Sequence, residues 1–188
     1  LAAPIAGKIT GEKPANLLES AVFPALLFYS AMRFIEPLSG QGFGEWVENE
    51  ALWFQPLCIT NEWGDWMLSV CFIEGLLALI LAIVLFIFRS RAKCPGALTR
   101  YALFLFCASQ VLPQCLRCDS VLFVFIFARV NHIILALTIF FVHLTTLLKG
   151  KKQGLPVKTV TMEALAMAFG EILCIGTIFA LDKTNLPD

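Results

Sequence analysis

Charge is scarce in this chain. Only 15% of its 188 residues are Asp, Glu, Lys or Arg, and it has two histidines. A soluble domain usually carries about a quarter charged residues, so a water-covered globular surface is excluded. The 14 basic and 14 acidic residues cancel, which removes the basic face that nucleic-acid binding needs. No glycine loop for cradling phosphates and no alternation of strand and helix patterns is found, so a nucleotide-binding soluble enzyme has no support. No cofactor is expected. Metal ligation is not expected either: Cys115 and Cys118 have the spacing of a redox or zinc pair, but no second pair or histidine cluster accompanies them. Seven cysteines, an odd number, give no disulfide framework. Apolar residues are what the chain has: 59% are hydrophobic, 17 are Phe, and the mean hydropathy is +0.80. That composition also excludes disorder and points to an integral membrane protein.

Long apolar runs predict an all-α, polytopic membrane helix bundle, one domain over 1–188, with about five transmembrane helices at 17–38, 66–88, 98–116, 121–148 and 159–181. Each must be helical, because lipid offers the backbone no hydrogen-bond partner. Lys and Arg orient the bundle, since they concentrate in short cytoplasmic loops. Lys8 and Lys13 precede the first span, Arg89, Arg91, Lys93 and Arg100 lie between or beside the second and third, and Lys149, Lys151, Lys152 and Lys158 separate the fourth and fifth. All of these fall on one side by alternation. Segment 39–65 lies opposite, has no Lys or Arg, and holds Glu45, Glu48, Glu50, Glu62 and Asp65 with Trp46, Trp53 and Trp63. It reads as an extracytoplasmic arm. The opening run, Leu1 to Gly7, reads as the tail of a helix, so the chain is expected to be a fragment.

An ionisable group inside a span costs several kcal/mol unless paired or wetted, so such residues are functional candidates. Arg33 and Glu36 sit three apart near the outer end of the first span, on one face, where they can pair or present a guanidinium to a phosphate. Gln110 and Gln114 are spaced i, i+4 on the third span, in register with Arg117, and form a polar stripe. Arg129, Asn131 and His132 lie in the outer half of the fourth span. Glu74 is a turn deeper in the second and suits neutralising an arginine. The bland alternative for each is helix–helix glue or snorkelling. Three arginines at one depth have a natural ligand in an anionic phospholipid headgroup.

These residues resemble a family. The stretch Leu17–Gly44, with Arg33, Phe34 and Glu36 ahead of a glycine-rich turn, is similar to the prolipoprotein diacylglyceryl transferase segment that runs through Gly-Arg-x-Gly-Asn. Phe72-Ile-Glu74-Gly75 followed by Arg89, Arg91, Pro95 and Gly96 resembles that family's Glu-Gly helix and basic loop. The run Gln110 to Asp119 is similar to its Arg-x-x-x-Glu-x-x-Arg-x-x-Asp run. The match covers roughly 10–148 in the same order. It also departs from the family: Glu36 stands for an asparagine, Gln110 for the second essential arginine and Gln114 for a carboxylate. The tyrosine-glutamate motif is absent, with Ser69 and Val70 in its place. The family's His-Gly-Gly helix would precede residue 1.

The resemblance implies transfer of a diacylglyceryl group from phosphatidylglycerol to a lipoprotein-precursor cysteine, leaving glycerol phosphate, at the outer face of the bacterial inner membrane. It casts Arg33, Arg117, Glu36 and His132 as catalytic residues, with the arginines on the phosphate and Glu36 or His132 accepting the thiol proton. Gln110, Gln114, Arg129, Asn131 and Glu74 become substrate-binding residues, with Arg129 replacing the charge absent at Gln110. The expected partners are an anionic, phosphatidylglycerol-like lipid, a lipoprotein precursor or other acceptor, and the membrane. A non-catalytic lipid-binding or assembly relative is the alternative. A small transporter ranks lower, because neither an internal repeat nor paired broken helices are found.

Overall fold

The computed structural model describes residues 2–92, 95–118, 130–152 and 156–184. They form an all-α bundle of α1 (Ala2–Thr10), α2 (Pro14–Ile35), α3 (Val70–Phe88), α4 (Ala97–Leu116), α5 (Val130–Lys152) and α6 (Val157–Thr184). One small sheet, β1 (Phe43–Trp46), β2 (Cys58–Thr60) and β3 (Trp66–Ser69), is inserted between α2 and α3. Among the described residues, four helical segments are long and apolar enough to cross a membrane: Pro14–Ser39, Val70–Phe88, Ile133–Gly150 and Val157–Thr177. The chain is a membrane protein built as a helix bundle.

Two sequence expectations change here. Residues 66–69 continue the apolar run of the second span, yet they form β3, and α3 begins only at Val70. Hydropathy cannot separate a buried strand from the first turn of a helix. The turn ahead of it is the missed signal: Asn61 Oδ1 accepts from the backbone N–H groups of Trp63 and Asp65, both at 2.9 Å, and Gly64 has φ 87°. That Asx turn closes a hairpin, with Cys58 opposite Leu68 and Thr60 opposite Trp66. The third predicted span forms a helix, α4, but it falls outside the four lipid-compatible segments. It is the central helix, packed against α2, α3, α5 and α6, so its polar residues meet protein rather than lipid. Of the fourth predicted span, 121–129 lie outside the described residues.

Close packing of α2 on α3 sets the height of the later site. Ser30 Oγ donates to the Gly75 carbonyl at 2.8 Å. A Cβ on Gly75 would lie 2.8 Å from the Phe34 ring and 3.2 Å from the Ser30 carbonyl oxygen. Glycine therefore lets the two backbones approach, as small residues do between membrane helices. At the far end of the same pair, Val22, Leu26, Leu81, Ala82, Leu85, Leu98 and Ala102 form an apolar core joining α2, α3 and α4. There the Glu19 carboxylate of α2 accepts from the Leu98 N–H at 3.2 Å, which caps one of the donors exposed at the start of α4. Tyr101 on α4 donates to Glu163 on α6 at 2.9 Å.

The sheet has the order β1-β3-β2 and is antiparallel throughout. Trp53 stacks on Trp66, ring centroids 5.8 Å apart, and its indole N–H donates to the Val47 carbonyl at 2.7 Å. The arm expected over 39–65 is thus an ordered cap on one end of the bundle.

Candidate functional site

Three helices and a turn deliver four charged side chains to the sheet-bearing end. Arg33 comes from the last turn of α2, where the carbonyl end of the helix favours a cation. Glu36 opens the 3-10 turn Glu36–Ser39 that follows. Glu74 lies in the second turn of α3, and Arg117 ends α4. Arg117 is fixed by the sheet: Gly44 of β1 forms a β-bridge to it, and the Cys118 N–H donates to the Phe43 carbonyl at 3.1 Å. A Cβ on Gly44 would sit 2.5 Å from Val70 Cγ2 and 2.8 Å from the Leu116 carbonyl oxygen. Only glycine allows β1 to lie this close to the end of α4.

The two arginines share the same two carboxylates. Arg33 Nη1 pairs with Glu36 Oε2, and Arg33 Nε pairs with Glu74 Oε2 at 2.9 Å. Arg117 Nη2 meets Glu36 Oε1 at 3.1 Å, and Arg117 Nη1 lies 3.5 Å from Glu74 Oε2. Glu74 is fully buried, whereas the side chains of Arg33, Glu36 and Arg117 keep 22%, 15% and 12% of their exposure. Gln114 Nε2 donates to Glu74 Oε1 at 3.0 Å. Among the described residues the charges of this quartet cancel. A buried carboxylate is tolerable only with this much compensation, and removing one partner of such a pair costs about 3–5 kcal/mol.

The network continues into α2 and α4. The Arg33 guanidinium lies 5.0 Å from the Tyr29 ring centroid, and Tyr29 Oη donates to Gln110 Oε1 at 2.9 Å. Gln110 is 3% exposed. Its Nε2 has no hydrogen-bond partner among the described residues. Tyr29, Arg33, Gln110 and Gln114 line a pocket of about 210 Å³, together with Phe106 and with Ile134 and Leu135 of α5. A second pocket, of about 500 Å³, lies over Arg33 and Glu36 beside Tyr29, Met32 and Gln41. Arg33 is therefore approachable from two sides.

Six residues selected from sequence, Arg33, Glu36, Glu74, Gln110, Gln114 and Arg117, belong to this connected network. Glu74 holds both arginines rather than one. The arginines are not unpaired, because carboxylates engage both. Arg129 lies outside the described residues, as do the side chains of Asn131 and His132, which belong to the first turn of α5. Tyr29 was not among the sequence candidates. Its signal is an aromatic residue four before Arg33, on the same helix face. Among the described residues no group of three or more His, Cys, Asp or Glu side chains is placed to hold a metal ion; Cys118 is exposed at the end of α4. Burial pushes the Cys58 thiol of β2 above its usual pKa, against a smaller opposing effect of the Phe54 backbone.

Chemically, the arrangement can exchange anions. The Arg33 guanidinium has a deep carboxylate partner and a shallow one, so an incoming oxyanion can displace Glu36 while Glu74 stays in place. No family model, no curated protein and no solved structure matches this chain.

Proposed function

We propose that this chain is a divergent diacylglyceryl-transferase-like membrane protein that takes the phosphate of an anionic phospholipid, such as phosphatidylglycerol, at Arg33 and Arg117. One observation carries the reading: guanidinium groups from two helices converge on a shared carboxylate pair, Glu36 and Glu74, of which Glu36, the outer member, is the one an incoming phosphate would replace. In transfer, an acceptor thiolate sulfur bonds to the glycerol carbon of the lipid, and the carbon–oxygen bond to phosphate breaks. Glycerol phosphate then leaves with the bonding electrons, held by the arginines. Displaced by the phosphate from both Arg33 and Arg117, Glu36 accepts the thiol proton, and the acceptor is a lipoprotein-precursor cysteine or another nucleophile. The outer face of a bacterial inner membrane is the setting this reading assigns, with the sheet on the acceptor side.

Gln110 favours a second reading. It is neutral where the resemblance has an arginine, and its carboxamide oxygen is occupied by Tyr29, as suits a non-catalytic phospholipid-binding relative. The test is release of glycerol phosphate from labelled phosphatidylglycerol by the full chain in vesicles with a cysteine peptide. Arg33→Ala or Arg117→Ala should lower release about 10²–10³-fold. Lipid that copurifies without any release selects the second reading, and release unchanged by either substitution sinks the arginine assignment.

A further inference from the structure

Two cavities along α2 and α4 share Tyr29 and Phe106, whose rings pack edge to face with centroids 4.9 Å apart, and the polar one also reaches Ile134 and Leu135 of α5. The larger, about 350 Å³, is walled by apolar surface from Leu18, Ala21 and Ala25 of α2 and Ala102 and Leu103 of α4. The smaller is the polar pocket of Arg33, Gln110 and Gln114. Ala21 and Ala25 are exposed on the outside of the bundle, so the apolar slot opens sideways, where lipid tails lie. Leu18 to Tyr29 spans a rise of about 16 Å along the helix, close to the roughly 15 Å depth of one leaflet of hydrocarbon. An apolar slot of this kind holds no water.

The polar end of the slot carries an unmet demand. Gln110 is buried, its Oε1 accepts from Tyr29, and its Nε2 has no acceptor among the described residues. A buried donor is normally satisfied. What fits is a neutral acceptor at the head of an alkyl chain, with a phosphate close by for Arg33.

We propose that the two cavities form one site for a single ester-linked acyl chain of a glycerophospholipid, with the chain in the α2–α4 slot and its ester carbonyl accepting from Gln110 Nε2. This rests on the reading of the ligand as a glycerophospholipid and adds how that lipid is recognised. The chain enters sideways between Ala21 and Ala25 on one wall and Leu103 on the other. Its carbonyl then stops at Gln110, which brings the adjoining glycerol and phosphate to Arg33. The linkage at the glycerol, ester against ether, becomes a selected feature.

The experiment places the full chain in nanodiscs with a trace of phosphatidylglycerol bearing a diazirine on one acyl chain. After irradiation, label on each helix is mapped by mass spectrometry, with unlabelled diester or diether phosphatidylglycerol as competitor. Label should concentrate on Ala21–Tyr29 and Thr99–Phe106, and the diether should compete about five-fold less well, as expected for one hydrogen bond. Gln110→Leu should erase that difference. Ala21→Leu with Ala25→Leu should fill the slot and cut labelling at least about five-fold, since one or two buried methylenes are worth that much. Leu103→Trp fills it from the other wall should the first variant not fold. Label spread evenly over the lipid-facing helices, or equal competition by the two lipids, overturns the site. Labelling needs no turnover: slot labelling without glycerol phosphate release removes only the transfer reading, and release with an unlabelled slot removes only this one.

Discussion

The two ends of the bundle accommodate glutamate in different ways. At the sheet-bearing end, Glu74 is fully buried among two arginines and a glutamine. At the basic end, the half-buried Glu19 and Glu163 accept, among the described residues, from neutral donors, a backbone N–H and a tyrosine hydroxyl, beside an apolar core that packs without help from charge. In the first case the carboxylate is part of a charge balance, so its loss strands two cations. In the second it satisfies a dipole, and water can stand in for it. The same residue type is thus costly to remove at one end and cheap at the other, which argues for function at the costly end, because apolar packing alone suffices to join the helices.

That contrast breaks if the costs are equal. Glu74→Leu should lose about 3–5 kcal/mol of stability, read as a large drop in the thermal midpoint of the purified protein in detergent. Gly75→Ala, at the same end, should cost about 1–3 kcal/mol by forcing α3 away from Ser30 and Phe34, and it should also weaken Arg33–Glu74 coupling in a double-mutant cycle. Glu19→Ala, at the other end, should cost only about 1 kcal/mol, the worth of a helix cap. A loss as large as that for Glu74 would erase the distinction. The smallest effect is one of pH. Burial raises the Cys58 thiol pKa, so the protonated thiol is favoured in the folded sheet. Its contribution is complete below the unfolded thiol pKa of about 8.5 and is lost as pH rises through the folded value. Fluorescence of the stacked Trp53 and Trp66 should therefore change in the alkaline range, and the change should be absent in Cys58→Ala.

Membrane residence, the helices and the pairing of Arg33 with Glu36 are legible in sequence because they depend on composition, period and spacings of three or four. The six-residue network is half legible. Its members stand out as polar groups inside apolar runs, but the partnership of Glu74 with both arginines depends on contacts 41 and 43 positions apart, set by how closely Gly75 lets two helices approach. Strand β3 is hidden for a related reason: Trp66-Met-Leu-Ser69 runs without a break into the apolar helix it precedes, and in the sequence only the Asn61–Gly64 turn marks its pairing with β2. Tyr29 is not legible in the same way, because an aromatic residue in an apolar helix stands out only once Gln110 is brought opposite its hydroxyl.

The central position of α4 bears on how the protein is made. A helix with Arg100, Gln110 and Gln114 along it is a poor candidate for leaving the translocon by itself, since each polar side chain carries a penalty in lipid. The α2–α3 pair precedes it in synthesis and already holds Tyr29, Arg33 and Glu74 on the surfaces that α4 will meet. Insertion of α4 should therefore depend on docking on that earlier pair, through the same polar side chains that form the network in the finished protein.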